Sequence, residues 1–564
     1  MAELLLEVRT EEIPAAALPD ARRQLEERFA KALAAAGYEG VTVHALSTAR
    51  RLVVRAADLP ERQADREERL TGPPARVAFG EDGAPTRAAE GFARKAGVGL
   101  DALERVDTDR GEYLAATVRH EGRPTAQIIA EVAPGIITAL HFPKTMRWGL
   151  GVHHFVRPVH GVVALFDDTV IGMELFGVPA GATTLGHRVH APHELRLGTA
   201  GEYVDRLREA SVLVDPEERR EALAARAQKL AQEVGCRVHP DPALVAEHVE
   251  LVEYPALIRG DIDPRFLELP PEVVVTTLRH HQKCLILQTP DGALAPHFLA
   301  VVDRADDPRG LVSQGNEWVI GARLADASFF FAEDRKRALA DLVPMLERLE
   351  FHRALGSLAD KAGRCAELAA WLAGELSLGI DEDTIRRAAR LVKADLPSHM
   401  VGEFPELQGV MGGHYLRLEG ASEEVWTAAR DHYRPSGFEG ALPASELGRV
   451  LGVADRLDTV AGLFAVDEVP TGSRDPFGLR RAAQAVVRIV AESGWPVDLH
   501  AAIARASALA AEAAGTDATA VAEAVVDFFA DRVRRYLVDR IGVSGDTAEA
   551  VMAAGWGDLP GLVV

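Results

Sequence analysis

Apolar and polar positions alternate at the start of the chain, where Leu4, Leu6 and Val8 are separated by Leu5 and Glu7. Arg51-Leu-Val-Val-Arg55 repeats the pattern, and both runs predict half-buried strands. Residues 159–177 read as a hairpin turning at Asp167-Asp168-Thr169, and residues 283–303 as another, with Thr289-Pro-Asp-Gly292 as its turn. Between them, residues 18–36 and the Ala-, Arg- and Glu-rich residues 217–234 have helical period and composition. From Arg323 onward Ala, Leu, Arg and Glu dominate, and Pro and Gly retreat to boundaries such as Leu396-Pro397 and residues 409–413. The change of texture near residue 320 divides an α+β N-terminal body from an all-α C-terminal half. Near the end, Val525, Phe529, Val533 and Tyr536 form one helical stripe, with Arg532, Arg534 and Arg535 mostly outside it as a solvated basic face. The Ala-rich residues 501–520 form a helix or a linker.

A length of 564 residues calls for several domains. No apolar run reaches the eighteen or so residues that span a bilayer, and the acidic first residues do not resemble a signal peptide, so a cytoplasmic protein is expected. Cys236, Cys284 and Cys365 lie far apart, which suits neither disulfides nor a thiolate metal site. With 63 Lys plus Arg against 85 Asp plus Glu, the formal charge is −22, so any contact with a polyanion must be local.

The chain has no phosphate-binding Gly-x-x-x-x-Gly-Lys or Gly-x-Gly-x-x-Gly loop, no His-Glu-x-x-His and no Gly-x-Ser-x-Gly. What remains is a set in the helical half, Asp395, His399, His414, Asp455 and Asp458, whose donors could surround a divalent ion as in phosphohydrolases of the His-Asp (HD) class. That class needs an adjacent His-Asp pair. None of the 19 histidines is followed by Asp, and Ala394-Asp395 is the nearest equivalent, so the set reads as a degenerate HD-like remnant. Asp455 and Asp458, three apart on one helical face, serve equally as ion-pair partners of neighbouring helices.

Basic and aromatic clusters are the other signal, because RNA is held through phosphates and unstacked bases. They are Lys144-Thr-Met-Arg-Trp148, Gly186-His-Arg-Val-His190, Arg279-His-His-Gln-Lys283 and Asp334-Arg-Lys-Arg337. Arg147 beside Trp148 offers a phosphate fork and a ring face, or else a surface arginine next to a core tryptophan. Gly186 suggests a loop with a special backbone angle presenting His187 and Arg188.

These segments carry a resemblance. Arg9-Thr-Glu-Glu-Ile-Pro14, Ala49-Arg-Arg-Leu52, Lys144-Thr-Met-Arg-Trp-Gly149, His154-Phe-Val-Arg-Pro-Val-His160 and Gly186-His-Arg188 resemble, in order, the signature segments of the bacterial glycyl-tRNA synthetase beta subunit family. Arg323-Leu-Ala-Asp-Ala-Ser-Phe-Phe-Phe331, Asp334-Arg-Lys336, Gln408-Gly-Val-Met-Gly412, Ala454-Asp-Arg-Leu-Asp-Thr459 and Asp475-Pro-Phe477 continue it. The resemblance implies a cytoplasmic subunit without catalytic residues of its own, which joins an alpha subunit in an alpha2beta2 tetramer and orients tRNA(Gly). ATP, with Mg, is used on the alpha subunit and no cofactor or metal is bound here. It also implies a body over residues 1–320, a helical HD-like domain over 321–495, and over 496–564 the shortened start of an anticodon-binding (DALR-like) domain. Arg147, Trp148, Arg188, Lys283 and Arg335 are the candidate tRNA contacts, with neither membrane nor DNA as partner. Two rival readings remain, a metal-dependent HD-type phosphohydrolase and a noncatalytic RNA-binding scaffold outside aminoacylation.

Overall fold

The computed structural model describes residues 2–79, 84–109, 111–149, 151, 153–304, 307–472 and 474–562. Two compact units emerge: Met1–Asp261 with Lys283–Asn316, and Ile262–Gln282 with Glu317–Val564.

In the first unit, β1 (Ala2–Thr10), α1 (Leu18–Ala35), β2 (Val43–Thr48) and β3 (Arg51–Leu59) open the main sheet. A three-stranded module follows, in which β4 (Arg66–Pro74), α2 (Ala75–Ala78), α3 (Arg87–Ala96), β5 (Leu103–Thr108) and β6 (Gly111–His120) give the strand order β4-β6-β5. After α4 (Thr125–Thr138), the strands β7 (Val159–Phe166), β8 (Thr169–Val170), β9 (Glu174–Leu175) and β10 (Val178–Gly181) complete the main sheet. Its order is β2-β3-β1-β7-β10-β9, with β8 paired to β7. The β7–β8 turn at Asp167-Asp168 falls where the sequence places it.

One expectation is corrected here: β1 is not half-buried. Leu4, Leu6 and Val8 enter a core that also contains Leu25 and Phe29 of α1 and Ile129 of α4. The opposite face carries Leu5 into a second core with Val53, Val163 and Tyr203. Helix packing on both faces of this central strand makes Glu7 an interior carboxylate.

The hairpin β11 (Thr183–Leu185) and β12 (Glu194–Arg196) and the helix α5 (Tyr203–Glu209) lead to α6 (Pro216–Glu233), β13 (Arg237–Val238), α7 (Pro242–Leu251) and β14 (Ala256–Asp261). The chain then leaves for the second unit over residues 262–282, a detour that no local pattern announces. It returns as the hairpin β15 (Leu285–Gln288) and β16 (Leu294–Val302), closing a sheet of order β13-β15-β16-β14. The Thr289–Gly292 turn forms as its residues predict, with Gly292 at φ +91°.

The detour supplies α8 (Pro271–Thr276) to the second unit, which continues with α9 (Leu311–Asp334) from Glu317. Next come α10 (Leu358–Glu375), α11 (Glu382–Leu391), α12 (His399–Glu403), α13 (Val410–Leu418), α14 (Glu423–Asp431) and α15 (Glu446–Ala465). The last described helices are α16 (Leu479–Glu492), α17 (Leu499–Ala514), α18 (Ala518–Arg535) and α19 (Gly545–Ala554). Helix α15 is the hub, buried along nearly its whole length and packed by α10, α14, α16, α17 and α18. Small residues permit this: a Cβ on Gly452 would stand 3.0 Å from the His432 carbonyl oxygen. The Ala-rich stretch is helix α17, and α18 buries Val525, Phe529 and Val533 as the stripe predicts. Arg532 is buried with them, contrary to the solvated face expected, because it follows Phe529 by three residues and so borders the stripe. Among the described residues no helix is long and apolar enough to cross a membrane.

Candidate functional site

The first unit contains a cleft of about 180 Å³ lined by Arg9, Arg50, Arg51, Arg188, Leu185, Gly186, Pro192 and Glu253. Antiparallel pairing of β1 with β3 sets Arg9 opposite Arg51. Beneath the cleft lies a buried network. Glu7 accepts hydrogen bonds from Thr184 Oγ1 at 2.6 Å and Tyr203 Oη at 2.5 Å, and its Oε2 lies 3.4 Å from Arg51 Nε. Arg51 is paired with Glu253, which also accepts from Thr48 Oγ1 at 2.6 Å. Burial by itself pulls the Arg51 guanidinium down, but Glu253 and Glu7 outweigh it and hold the group above its ordinary range.

The upper arginines are less satisfied. Arg188 pairs with Glu12 at 2.9 Å and Arg50 reaches Glu11 only at 4.0 Å. Arg9 keeps a buried Nε with no acceptor. Burial pulls its guanidinium below the usual range against Glu7, and Arg51 and Arg50 push the same way. Gly186 stands here for a different reason from the one its sequence suggests. Its φ is not left-handed; a Cβ would meet the Ala191 carbonyl oxygen at 2.5 Å and Ala210 Cβ at 3.0 Å, so close approach excludes a side chain.

The other candidates do not line this cleft. Arg147 is exposed and donates through Nε to His154 Nε2 at 2.5 Å. Trp148 is half-buried, its ring 5.8 Å from that of Phe176, so part of its surface is already covered. Lys283 pairs with Glu247 at 2.6 Å, and Arg335, in the second unit, lies exposed over the Phe331 ring.

In the second unit, the five residues of the HD-like set do not converge. His399 and the backbone of Met400 donate to Asp334, which anchors the start of α12, and His414 pairs with Glu272 at 2.9 Å. Asp395 is buried and accepts from Gly409 N at 2.6 Å and Gly412 N at 2.9 Å. Burial raises its carboxyl to about 6 despite those bonds.

Asp455 and Asp458, on α15, are met by cations instead of a metal. Lys361 Nζ lies 3.1 Å from Asp455 and 3.0 Å from Asp458, and Lys393 Nζ 2.9 Å from Asp455. Arg364 holds Asp458 through two bonds, of 2.6 and 3.2 Å. His432 donates from Nδ1 to the Ala429 carbonyl at 2.8 Å, which leaves Nε2 as acceptor for Lys393 at 3.2 Å. Burial and the Lys393 charge hold that imidazole neutral, down to about 3. Asp455 and Asp458 are both engaged by ammonium or guanidinium groups, and a divalent ion beside two lysines would be repelled. The set does not fit a metal. Sequence reasoning found the acids but missed Lys361 and Arg364 of α10 and Lys393 just after α11, all far from α15 in sequence. It likewise missed Arg9 and Arg50, although both fall inside the signature segments.

A sequence model of the family described as "Glycyl-tRNA synthetase beta subunit" matches residues 4–553. The chain belongs to that family. It is 43% identical over 562 residues to the "Glycine--tRNA ligase beta subunit" of Anaeromyxobacter dehalogenans (strain 2CP-C), covering 99% of this chain and 80% of the relative. The protein of that name from Nitratidesulfovibrio vulgaris (strain Hildenborough) is 42% identical with the same coverage, and that of Geobacter sulfurreducens 39% identical over 557 residues, covering 99% and 81%. Three of the segments through which the sequence resembles the family, around Arg9, Arg50 and Arg188, are the ones that line the arginine cleft.

Proposed function

We propose that this chain is the RNA-gripping subunit of a glycine–tRNA ligase, orienting tRNA(Gly) for a glycylation whose chemistry resides on an alpha subunit. In this reading it forms an alpha2beta2 tetramer in the cytoplasm, engages neither DNA nor membrane, and leaves ATP and Mg to its partner. The observation that carries the reading is the arginine cleft. Arg9, Arg50 and Arg188 are mounted on a sheet and its adjoining loop, and Arg9 keeps an N–H unmatched. Guanidinium groups fixed in this way suit phosphate oxygens, and a rigid support is what orienting a large substrate requires. The rival phosphohydrolase reading loses ground to the acids of α15, whose counter-charges are already Lys361, Lys393 and Arg364.

The test is glycyl-tRNA formation by purified chain, matching alpha subunit and tRNA(Gly), assayed separately and together across a salt series. Charging only in the mixture, weakening as salt rises, is the expected result. Adenylate formation by this chain alone would overturn the division of labour. No charging with an alpha subunit that does form adenylate would overturn the assignment in favour of a scaffold role.

A further inference from the structure

A second arginine-lined cavity lies in the helical unit, formed by segments that the function above does not use. Helix α16 carries Arg480, Gln484 and Arg488 four apart on one face with Arg481 beside them, and α18 carries Arg532 and Arg535 three apart. With the loop of residues 435–438 and Asp539 they line a cavity of about 410 Å³, in which five arginines meet one carboxylate.

Some of these arginines are structural. Arg488 forks Glu492 at 2.8 and 3.1 Å and donates to the carbonyls of Gly437 and Gly440, pinning the loop. Arg480 donates to the Gly472 carbonyl at 2.8 Å. The others are not accounted for. Arg481 and Arg535 are exposed and have neither an ion pair nor a side-chain hydrogen bond among the described residues. Arg532 is only 6% exposed; it is paired with Asp531, yet its Nε has no acceptor, and Gln484 Nε2 is buried in the same condition. Burial depresses the Arg532 guanidinium against Asp531, and Arg535 and Arg480 add to the effect. The large majority of buried polar groups in folded proteins are matched, so two unmatched donors beside the unpaired Arg481 and Arg535 point to an anion here.

We propose that this cavity seats a phosphodiester of the tRNA backbone, Arg532 and Gln484 donating from its buried floor and Arg481 and Arg535 from its exposed rim. This rests on the RNA-gripping reading. A polymer is favoured over a free nucleotide because the cationic surface runs outward from the cavity through Arg535 to the exposed Arg534. Guanidinium and amide donors on a backbone phosphate position a nucleic acid without reading its sequence.

The experiment measures tRNA(Gly) affinity of the reconstituted alpha–beta enzyme from 50 to 300 mM salt. It compares the wild type, Arg481→Gln/Arg535→Gln, Gln484→Leu, and Arg387→Gln/Arg505→Gln, two exposed arginines outside the cavity, as a charge-matched control. The rim variant should bind about tenfold more weakly and lower the slope of log affinity against log salt by about 1 to 2. Gln484→Leu should weaken binding without changing the slope, and the control should change neither by as much. Rim and control variants that behave alike, beside a wild type that binds, would overturn the phosphate site and leave the functional reading standing. A wild type that does not bind tRNA would sink that reading itself. In a parallel titration with AMP, binding by the wild type that the rim variant loses, with tRNA affinity unchanged, would reassign the cavity to a nucleotide.

Discussion

Lys361→Met tests whether ammonium groups hold the interior of the helical unit together. Lys361 is 4% exposed, and its Nζ donates to Asp458 at 3.0 Å, to Thr459 Oγ1 at 2.8 Å and to the Asp455 carbonyl at 3.0 Å. Methionine matches the stem in length, so the cavity stays filled and the change is chiefly one of charge. Removing one partner of a buried ion pair costs about 3–5 kcal/mol. Here Asp458 keeps Arg364 and Asp455 keeps Lys393, which places the loss near the lower end, about 3 kcal/mol. At about 2–4 °C per kcal/mol for a domain of this size, the helical unit should melt about 6–12 °C lower. The assay is scanning calorimetry of wild type and variant at pH 7, with circular dichroism at 222 nm assigning the shifted transition. Combining Lys361→Met with Asp458→Asn should cost less than the sum of the two changes, by at least about 1 kcal/mol. A Lys361→Met variant melting within about 1 °C of wild type, or strict additivity in the double variant, would refute the argument that this lysine supplies the counter-charge.

Three further outcomes follow from the geometry. Asp395 has its carboxyl raised to about 6 against about 3.9 unfolded, so between those values the folded state binds more protons and stability falls as pH rises. Asp395→Asn, whose amide oxygen can accept the same Gly409 and Gly412 bonds, should flatten that part of the pH–stability curve as measured by urea denaturation. His432 acts with the opposite sign: held neutral down to about 3 against about 6.5 unfolded, it makes stability fall as pH drops through that window. His432→Gln should remove that acid-side loss, which thermal melts between pH 4 and 7 would show. Gly186→Ala places a methyl 2.5 Å from the Ala191 carbonyl oxygen and should cost about 1–3 kcal/mol of stability while weakening tRNA binding through displacement of Arg188, measurable by denaturation and filter binding on the same preparation.

Local chemistry settled a good deal of this protein in advance. The helical periods of residues 18–36 and 217–234, the Thr289–Gly292 turn, the change of texture near residue 320 and the apolar stripe from Val525 to Tyr536 all appear where the sequence puts them, because period and turn residues act over a few neighbours. Ordered short segments were enough to give the family. Tertiary structure decided what depends on distant partners. It buried β1 on both faces and made Glu7 interior, sent residues 262–282 into the other unit, and turned Arg532 inward. It brought Lys361, Lys393 and Arg364 onto acids of α15 from up to 97 residues away, and it gathered Arg9, Arg50 and Arg188 into one cleft and the arginines of α16 and α18 into another. A charge is paired or left unpaired by whatever folding places within a few ångströms of it, and sequence spacing carries no record of that.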